Sequence, residues 1–235
     1  MSLAQYASYP MPVVADNGVM YLFYRETSQY VSRSDLTDDR PLKLLNSTDS
    51  GATWTDLGYV IRTDRIDNLD EIYVGQIRHE HAQGSVPEQF LVVWTIAGGG
   101  PGNHAHDVYH RNMYYASFRP STQHFYSADG TDLGTSIDTG EAETRCKVYD
   151  TGSPSGLDVS YMNLVHADDD GKPIVVWNWS AADRAKASKW TGSSWRTTDV
   201  PATFAFDIEK AGPDAFKVYK KTSGDLEILL TTDGG

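Results

Sequence analysis

The stretch Ser47–Trp54, which reads STDSGATW, fits the Asp-box pattern Ser-x-Asp-x-Gly-x-Thr-Trp at every defined position. The short carboxylate of Asp49 can accept hydrogen bonds from the backbone N–H groups of a tight turn, and Gly51 supplies the positive φ. Trp54 supplies a large ring that packs between neighbouring sheets. The motif therefore predicts a structural turn between two strands, with Asp49 far from any reacting group.

The rest of the chain repeats one pattern four times. Each repeat has a β-rich run, a polar turn that often carries Asp or Asn with Gly, and a second apolar run that ends in an aromatic residue. The paired runs are YPMPVV with MYLFYR (9–14 and 20–25), EIYVGQI with FLVVW (71–77 and 90–94), LDVSYMNLV with PIVVWNW (157–165 and 173–179), and TFAFDIE with AFKVY (203–209 and 215–219). No window carries a sustained i, i+3, i+4, i+7 apolar stripe, so the sequence excludes a helical solenoid.

Four-stranded cycles near 9–56, 71–128, 157–199 and 203–235 predict an all-β fold, a β-propeller with about four blades in one domain spanning 1–235. In such blades an Asp box lies on the turn between the third and fourth strands. The chain ends in TTDGG, the first half of a second Asp box. A fourth cycle without its last strand would expose unpaired backbone, so we expect the chain to be part of a larger propeller of five to seven blades.

The composition excludes several classes of function. Twenty basic against 32 acidic residues give a formal charge of −12, which repels nucleic acid and anionic membranes. No apolar run is long enough to span a bilayer, so we expect no membrane insertion. Cys146 is the single cysteine and is expected to be an unpaired thiol used in packing. The opening Met1-Ser2-Leu3 resembles no signal peptide, and the native start is expected to be missing from this sequence.

The propeller architecture sorts the histidines by face, because innermost strands begin at the functional face and second strands end there. His79, His81 and His166 follow innermost strands and are expected on the far face. The loop 98–111 is expected on the functional face, and it combines four glycines with three imidazoles.

Three interpretations of this loop histidine cluster stay open, and the histidines concerned are His104, His106 and His110. A neutral imidazole titrates near the working pH of a general base. His-x-His spacing can also ligate a metal ion. A plain surface loop whose polar residues satisfy one another is the third interpretation.

Further candidates share the functional face by the same rule. Tyrosines near the starts of innermost strands are Tyr9, Tyr73 and Tyr161, and polar residues at or after the ends of second strands are Arg25, Asn178 and Arg184. An arginine here can pair with a substrate carboxylate, although such a residue more often forms a structural salt bridge. Tyr161 is the most economical proton donor, and we expect it to share one cleft with His106 and His110.

Two stretches carry a resemblance to a known family: HDVYHRNMYYASF with HFYSADGTDLG (106–118 and 124–134), and YPMPVV with MYLFYRETS near the start. Over roughly residues 9–200 the chain resembles the propeller polysaccharide lyases of the ulvan-lyase type and their relatives with sialidase-like BNR (Asp-box) repeats. The resemblance implies β-elimination on a uronic-acid polysaccharide, with an anionic polysaccharide or oligosaccharide as partner. It also implies a secreted, periplasmic or cell-surface location.

Carried onto this chain, the resemblance makes His106 and His110 the base candidates and Tyr161 the acid. The implied substrate-binding residues are Arg25, Arg184, His104, Tyr109 and Asn178. No cofactor or metal is required by the sequence, and a structural zinc or calcium ion is compatible with it.

Two other functions compete with the lyase. A sialidase-like glycoside hydrolase needs three arginines around a carboxylate and a Tyr/Glu pair, and the equivalent start here reads YPMPVV rather than an Arg-Ile-Pro type. A non-catalytic glycan-binding propeller would keep the rings and repeats without clustered imidazoles. A lyase of this acidity needs a locally positive channel, for which the candidates are Arg25, Arg78, Arg111 and Arg184.

Overall fold

The computed structural model describes residues 7–26, 40–62, 70–98, 110–152, 163–179, 184–201, 204–213, 215–222 and 225–231. Strands dominate this part of the chain and form four antiparallel sheets. The prediction of an all-β fold is therefore confirmed. One short helix, α1 (Thr139–Glu141), leads into a π-helical turn at Ala142–Cys146. The described residues hold no helix of the length and hydropathy that crossing a bilayer requires.

Sheets 1 and 2 contain the first ten strands of the described chain. Sheet 1 runs in the order β1 (Ala7–Val14), β2 (Met20–Glu26), β3 (Leu42–Ser47) and β4 (Thr55–Ile61). Sheet 2 runs in the order β5 (Asp70–Glu80), β6 (Gln89–Gly98), β7 (His110–Arg119), β8 (His124–Tyr126) and β9 (Asp132–Gly134), and β10 (Lys147–Tyr149) also pairs with β7. Sheet 2 therefore extends beyond the cycle near 71–128, because β9 and β10 add to it.

Sheets 3 and 4 follow the same consecutive order. Sheet 3 contains β11 (Leu164–Ala167), β12 (Pro173–Trp179), β13 (Arg184–Trp190) and β14 (Trp195–Val200). Sheet 4 contains β15 (Phe204–Gly212), β16 (Ala215–Thr222) and β17 (Asp225–Thr231).

The alternation of side chains along β6 explains how neighbouring sheets pack. Phe90, Val92 and Trp94 belong to the core shared with sheet 1, whereas Leu91 and Val93 belong to the core shared with sheet 3. Successive side chains of a strand point to opposite faces, so a strand covered on both sides must be apolar throughout. Burial of each such side chain contributes about 1.5–3 kcal/mol. The FLVVW run therefore contributes to the cores on both faces of sheet 2.

Sheets 2 and 3 approach each other closely at Gly75. A Cβ added there would lie 2.6 Å from both the backbone N and the backbone O of Asn163. Next to it, the Gln76 side-chain oxygen accepts a hydrogen bond of 2.8 Å from Val165 N. These contacts seat β11 directly against β5, which only glycine at position 75 permits without movement.

The Asp-box turn between β3 and β4 has the predicted structural chemistry. Asp49 Oδ1 accepts hydrogen bonds from Thr53 N and Ser47 Oγ, both at 2.8 Å, and Asp49 Oδ2 accepts one of 2.6 Å from Thr53 Oγ1. These bonds, that from the Thr53 hydroxyl foremost, lower the pKa of Asp49 to about 2. Gly51 has a φ of +87°, as the turn requires.

The strand registers define two edges of sheets 1 and 2. We call the edge where β2 ends and where β5 and β7 begin the site edge, and the opposite edge, which carries the β1–β2 and β3–β4 turns, the turn edge. Asp49 therefore lies on the turn edge and His110 on the site edge, as the sequence predicts. Cys146 is a free, buried thiol whose pKa is raised by burial, in agreement with its predicted packing role.

Candidate active site

A buried carboxylate holds two arginines at the site edge, where sheets 1 and 2 meet. Glu71, near the start of β5, has no exposed surface, and its Oε2 lies 3.0 Å from Arg25 Nη1 at the end of β2. Its other oxygen, Oε1, lies 2.6 Å from Arg40 Nη1. Two guanidinium groups thus contact one carboxylate at this point, in a protein whose formal net charge is −12. These guanidinium groups are candidates for pairing with an anionic ligand.

Two tyrosine rings enclose the Arg25 guanidinium. Its Cζ lies 4.7 Å from the Tyr9 ring centroid and 4.5 Å from that of Tyr73, which is the geometry of a cation–π contact. Arg25 Nε also donates to Ser8 Oγ at 3.1 Å. Tyr9 is 48% exposed and has a φ of +53°, a strained conformation in which non-glycine residues persist at functional sites. Its exposed ring offers a stacking surface at the mouth of the site.

Tyr73 and His110 form the part of the site that can move protons. Their ring centroids are 4.7 Å apart, and His110 Nδ1 lies 3.2 Å from the hydroxyl of buried Thr95. Burial raises the pKa of Tyr73 to about 12, while its hydrogen bond with Arg25 acts in the opposite direction. The phenol is therefore protonated at neutral pH and can donate a proton. The adjacent imidazole is the side chain suited to accept one.

The structure brings only part of the predicted site together. Arg25 and His110 lie at the site edge with Tyr9 and Tyr73, which the sequence also placed on this face. His104, His106, Tyr109 and Tyr161 lie outside the described residues. Arg184 begins β13 opposite Trp179, and its side chain also lies outside the described part.

Asn178 is placed differently from its predicted substrate-binding role. Its amide nitrogen donates to Ala205 O at 3.0 Å, and its amide oxygen accepts from Ala205 N at 2.9 Å. The side chain is 4% exposed, so both polar groups are used to join sheets 3 and 4. These contacts favour a structural role, and we leave Asn178 out of the site.

The arginines predicted to line a positive channel also differ from one another. Arg111 is 9% exposed and directly follows His110 at the site edge. Arg78 instead donates to Ile208 O of sheet 4 at 2.9 Å and lies 3.4 Å from Glu80. Arg78 therefore links sheets rather than adding charge at the Arg25 position.

Sequence reasoning missed Glu71, Arg40 and Thr95. An acidic residue at the start of the apolar run EIYVGQI was the available signal for Glu71, since a carboxylate on a buried strand requires a cationic partner. Arg40 and Thr95 carried no comparable signal. Tyr73 was placed on the correct face but received no role, because Tyr161 was preferred as the acid.

His79 and His81 lie on the turn edge, as predicted, and there they meet Asp16. In the described part of the chain, Asp16, His79 and His81 bring their imidazole and carboxylate donor atoms close enough together to hold a metal ion. The Arg25 site instead brings two guanidinium groups to one carboxylate.

Comparison with known sequences places the chain among repeat proteins. A family model described as "BNR repeat-containing family member" matches residues 2–203. A PL25 ulvan lyase of Pseudoalteromonas sp. (strain PLSV) is 24% identical over 206 residues, which cover 83% of this chain and 39% of that protein. An ulvan lyase of Alteromonas sp. (strain LOR) is 23% identical with the same coverage. The chain thus spans about two fifths of the length of these curated relatives.

Comparison with solved structures shows a shared fold. A PL25 ulvan lyase bound to -[GlcA(1-4)Rha3S]- has a TM-score of 0.71 at 20% identity, covering 97% of this chain and 53% of that one. The polysaccharide lyase Uly1 has a TM-score of 0.61 at 11% identity, covering 97% of this chain and 48% of that one. At these identities the likeness shows a common architecture and assigns no residue.

Proposed function

Because the chain belongs to the BNR repeat-containing family, we propose that its sheets are blades of a β-propeller and that it cleaves an anionic uronic-acid polysaccharide by β-elimination. The observation that carries the proposal is the Tyr73–His110 pair beside Arg25, which shares the buried Glu71 carboxylate with Arg40. The relative bound to -[GlcA(1-4)Rha3S]- supports a sulfated, uronate-containing polymer as the substrate class.

The proposed reaction needs three functions, and the site supplies a candidate for each. The guanidinium groups of Arg25 and Arg40 stabilise the uronate carboxylate, and with it the negative charge that develops when the C5 proton leaves. His110 takes that proton as general base. Tyr73 protonates the departing glycosidic oxygen as the C4–O4 bond breaks and a C4=C5 double bond forms. The departing oxygen becomes a hydroxyl group of the new chain end, and return of the C5 proton from His110 to Tyr73 restores both side chains, so protons and electrons balance without a co-reactant.

Burial of Tyr73 favours this division of roles. A phenol whose pKa is about 12 stays protonated at neutral pH, so Tyr73 suits the acid rather than the base. Tyr9, with its half-exposed ring, provides a platform on which the neighbouring sugar stacks. Its position beside Arg25 would hold that sugar next to the cationic cluster.

Predicted site residues outside the described part of the chain remain alternative candidates for the catalytic and substrate-binding roles. His106 competes with His110 for the base, and Tyr161 competes with Tyr73 for the acid. Arg184, His104 and Tyr109 stay predicted substrate contacts. A substrate of this class is a large extracellular polymer, so we also propose that the protein acts outside the cytoplasm.

The test is incubation of the longest native form of the protein with a panel of uronic-acid polymers. β-Elimination creates an unsaturated uronate whose ultraviolet absorbance rises with turnover, whereas a sialidase-like hydrolase would release sugar without it. Tyr73→Phe and Tyr161→Phe should be compared in parallel, since each removes one hydroxyl only. Loss of turnover in Tyr73→Phe alone supports the assignment. Loss in Tyr161→Phe alone moves the acid there, and binding without product indicates a glycan-binding propeller.

A further inference from the structure

Three metal-binding side chains converge at the turn edge, opposite the candidate active site. His79 lies near the end of β5 and His81 directly follows the strand, and their ring centroids are 4.2 Å apart. Asp16, in the β1–β2 turn, meets them with one carboxylate oxygen, Oδ1, which lies 2.5 Å from His81 Nδ1 and 3.6 Å from His79 Nε2. The three donor atoms all lie within 4.8 Å of one another. Two sheets thus bring two imidazoles and a carboxylate to one point.

These separations are close to those that a zinc ion imposes. Tetrahedral zinc with ligands at 2.0–2.2 Å holds its donor atoms about 3.3 Å apart. The His79–Asp16 separation of 3.6 Å already fits, and the His81–Asp16 hydrogen bond would open by less than an ångström. The side chains that must move are accessible, since Asp16 is 39% and His81 75% exposed. His79 is the fixed donor, because its ring packs edge-on against Phe90 at 5.2 Å.

A second carboxylate, that of Glu88, lies beside this group. Glu88 Oε1 lies 2.8 Å from His79 Nε2 and accepts a hydrogen bond of 2.6 Å from Asp16 N. Two carboxylates with two neutral imidazoles carry a charge of −2, which a divalent cation neutralises. Imidazole with carboxylate is a donor set for zinc and similar transition ions, whereas calcium and magnesium take oxygen alone.

Hydrogen bonds hold the backbone segment between His81 and Glu88 in a defined turn. Gln83 and Val86 exchange two hydrogen bonds, of 3.0 and 2.9 Å, and close a tight turn between His81 and Glu88. Ala82 N also approaches Asp16 Oδ2 at 3.4 Å. The ligands therefore need side-chain adjustment only, which lowers the entropic cost of binding an ion.

We propose that Asp16, His79, His81 and Glu88 form a zinc site that ties sheet 1 to sheet 2 at the turn edge. The Asp16–His81 contact joins residues 65 positions apart, so an ion held there closes a long loop and stabilises the folded state. The site is remote from Arg25 and His110, and its role is structural rather than catalytic. The proposal does not depend on lyase activity.

The test is zinc binding to the whole, tag-free chain after chelation and dialysis. We expect one Zn²⁺ per chain by titration calorimetry, a higher melting temperature with zinc, and the visible absorption bands of four-coordinate Co²⁺ when cobalt replaces it. His81→Ala and Asp16→Asn should each weaken binding by at least about tenfold. His124→Ala is the matched control, because His124 Nδ1 pairs with Asp132 at 3.0 Å without a second imidazole, and it should leave zinc affinity unchanged.

Three outcomes would overturn the proposal. One is the absence of stoichiometric zinc binding in the unmodified protein. Another is an affinity that His81→Ala and Asp16→Asn leave unchanged. The last is zinc binding that is lost in a His104→Ala/His106→Ala double variant instead, which would assign the ion to the loop 98–111.

Discussion

Replacement of Glu71 by glutamine is the sharpest test of the buried cluster. The carboxylate has no exposed surface and pairs with Arg25 at 3.0 Å and Arg40 at 2.6 Å. Glutamine keeps the volume and one acceptor oxygen but removes the negative charge that both guanidinium groups contact. Loss of one partner from a buried pair costs about 3–5 kcal/mol, and we expect the lower end because Arg40 is partly exposed.

Denaturant unfolding followed by tryptophan fluorescence measures this change in the free energy of unfolding. The matched control is Asp199→Asn, which breaks the exposed pair of Asp199 with Lys186 at 2.7 Å and should cost at most about 1 kcal/mol. An unchanged denaturant slope would show that the variant unfolds from the same compact state. If Glu71→Gln loses no more stability than Asp199→Asn, the cluster is not the electrostatic unit described above.

Three further predictions follow from the site and from the sheet contacts. Tyr73→Phe and His110→Gln should each lower turnover by about a hundredfold or more while glycan binding survives, as single-turnover assays with matched binding measurements would show. Because the pKa of Tyr73 is raised to about 12, the folded state holds this proton more tightly than the unfolded chain, so its contribution to stability falls as pH rises from about 10 towards 12. Alkaline unfolding that is equally steep in Tyr73→Phe would contradict that origin. Gly75→Ala should destabilise the protein by more than about 1 kcal/mol, because its Cβ would collide with the Asn163 backbone, whereas Gly212→Ala, whose nearest neighbour is at 3.5 Å, should cost less. Melting temperatures compare the two variants directly.

The arginines at the site edge show that the net charge of the whole chain does not determine which charged side chains surround one site. A formal charge of −12 repels polyanions in general, yet the guanidinium groups of Arg25 and Arg40 meet at a single buried carboxylate. The local field at a ligand depends on charges within about 8 Å at physiological salt, because counterions screen the more distant ones. An acidic protein can therefore still receive an anionic polymer at one point.

The sequence alone determined the features that arise from short-range physics. The Asp49 turn could be predicted in detail because its hydrogen bonds connect residues at most four positions apart. The two-sided burial of β6 follows from the uninterrupted apolar run FLVVW and the two-residue period of a strand. The placement of His79 and His81 at one edge and of His110 at the other follows from strand direction.

Only the tertiary structure decided which side chains meet across those edges. Arg25 and Glu71 are 46 positions apart, and Asn178 and Ala205 are 27 apart, so no local pattern relates them. The choice of Tyr73 as the partner of His110, and the structural use of Asn178, depend on how two sheets pack together. Strand periodicity fixes the face and the edge of a side chain, but its neighbours are set by packing between sheets, where the partners are distant in sequence.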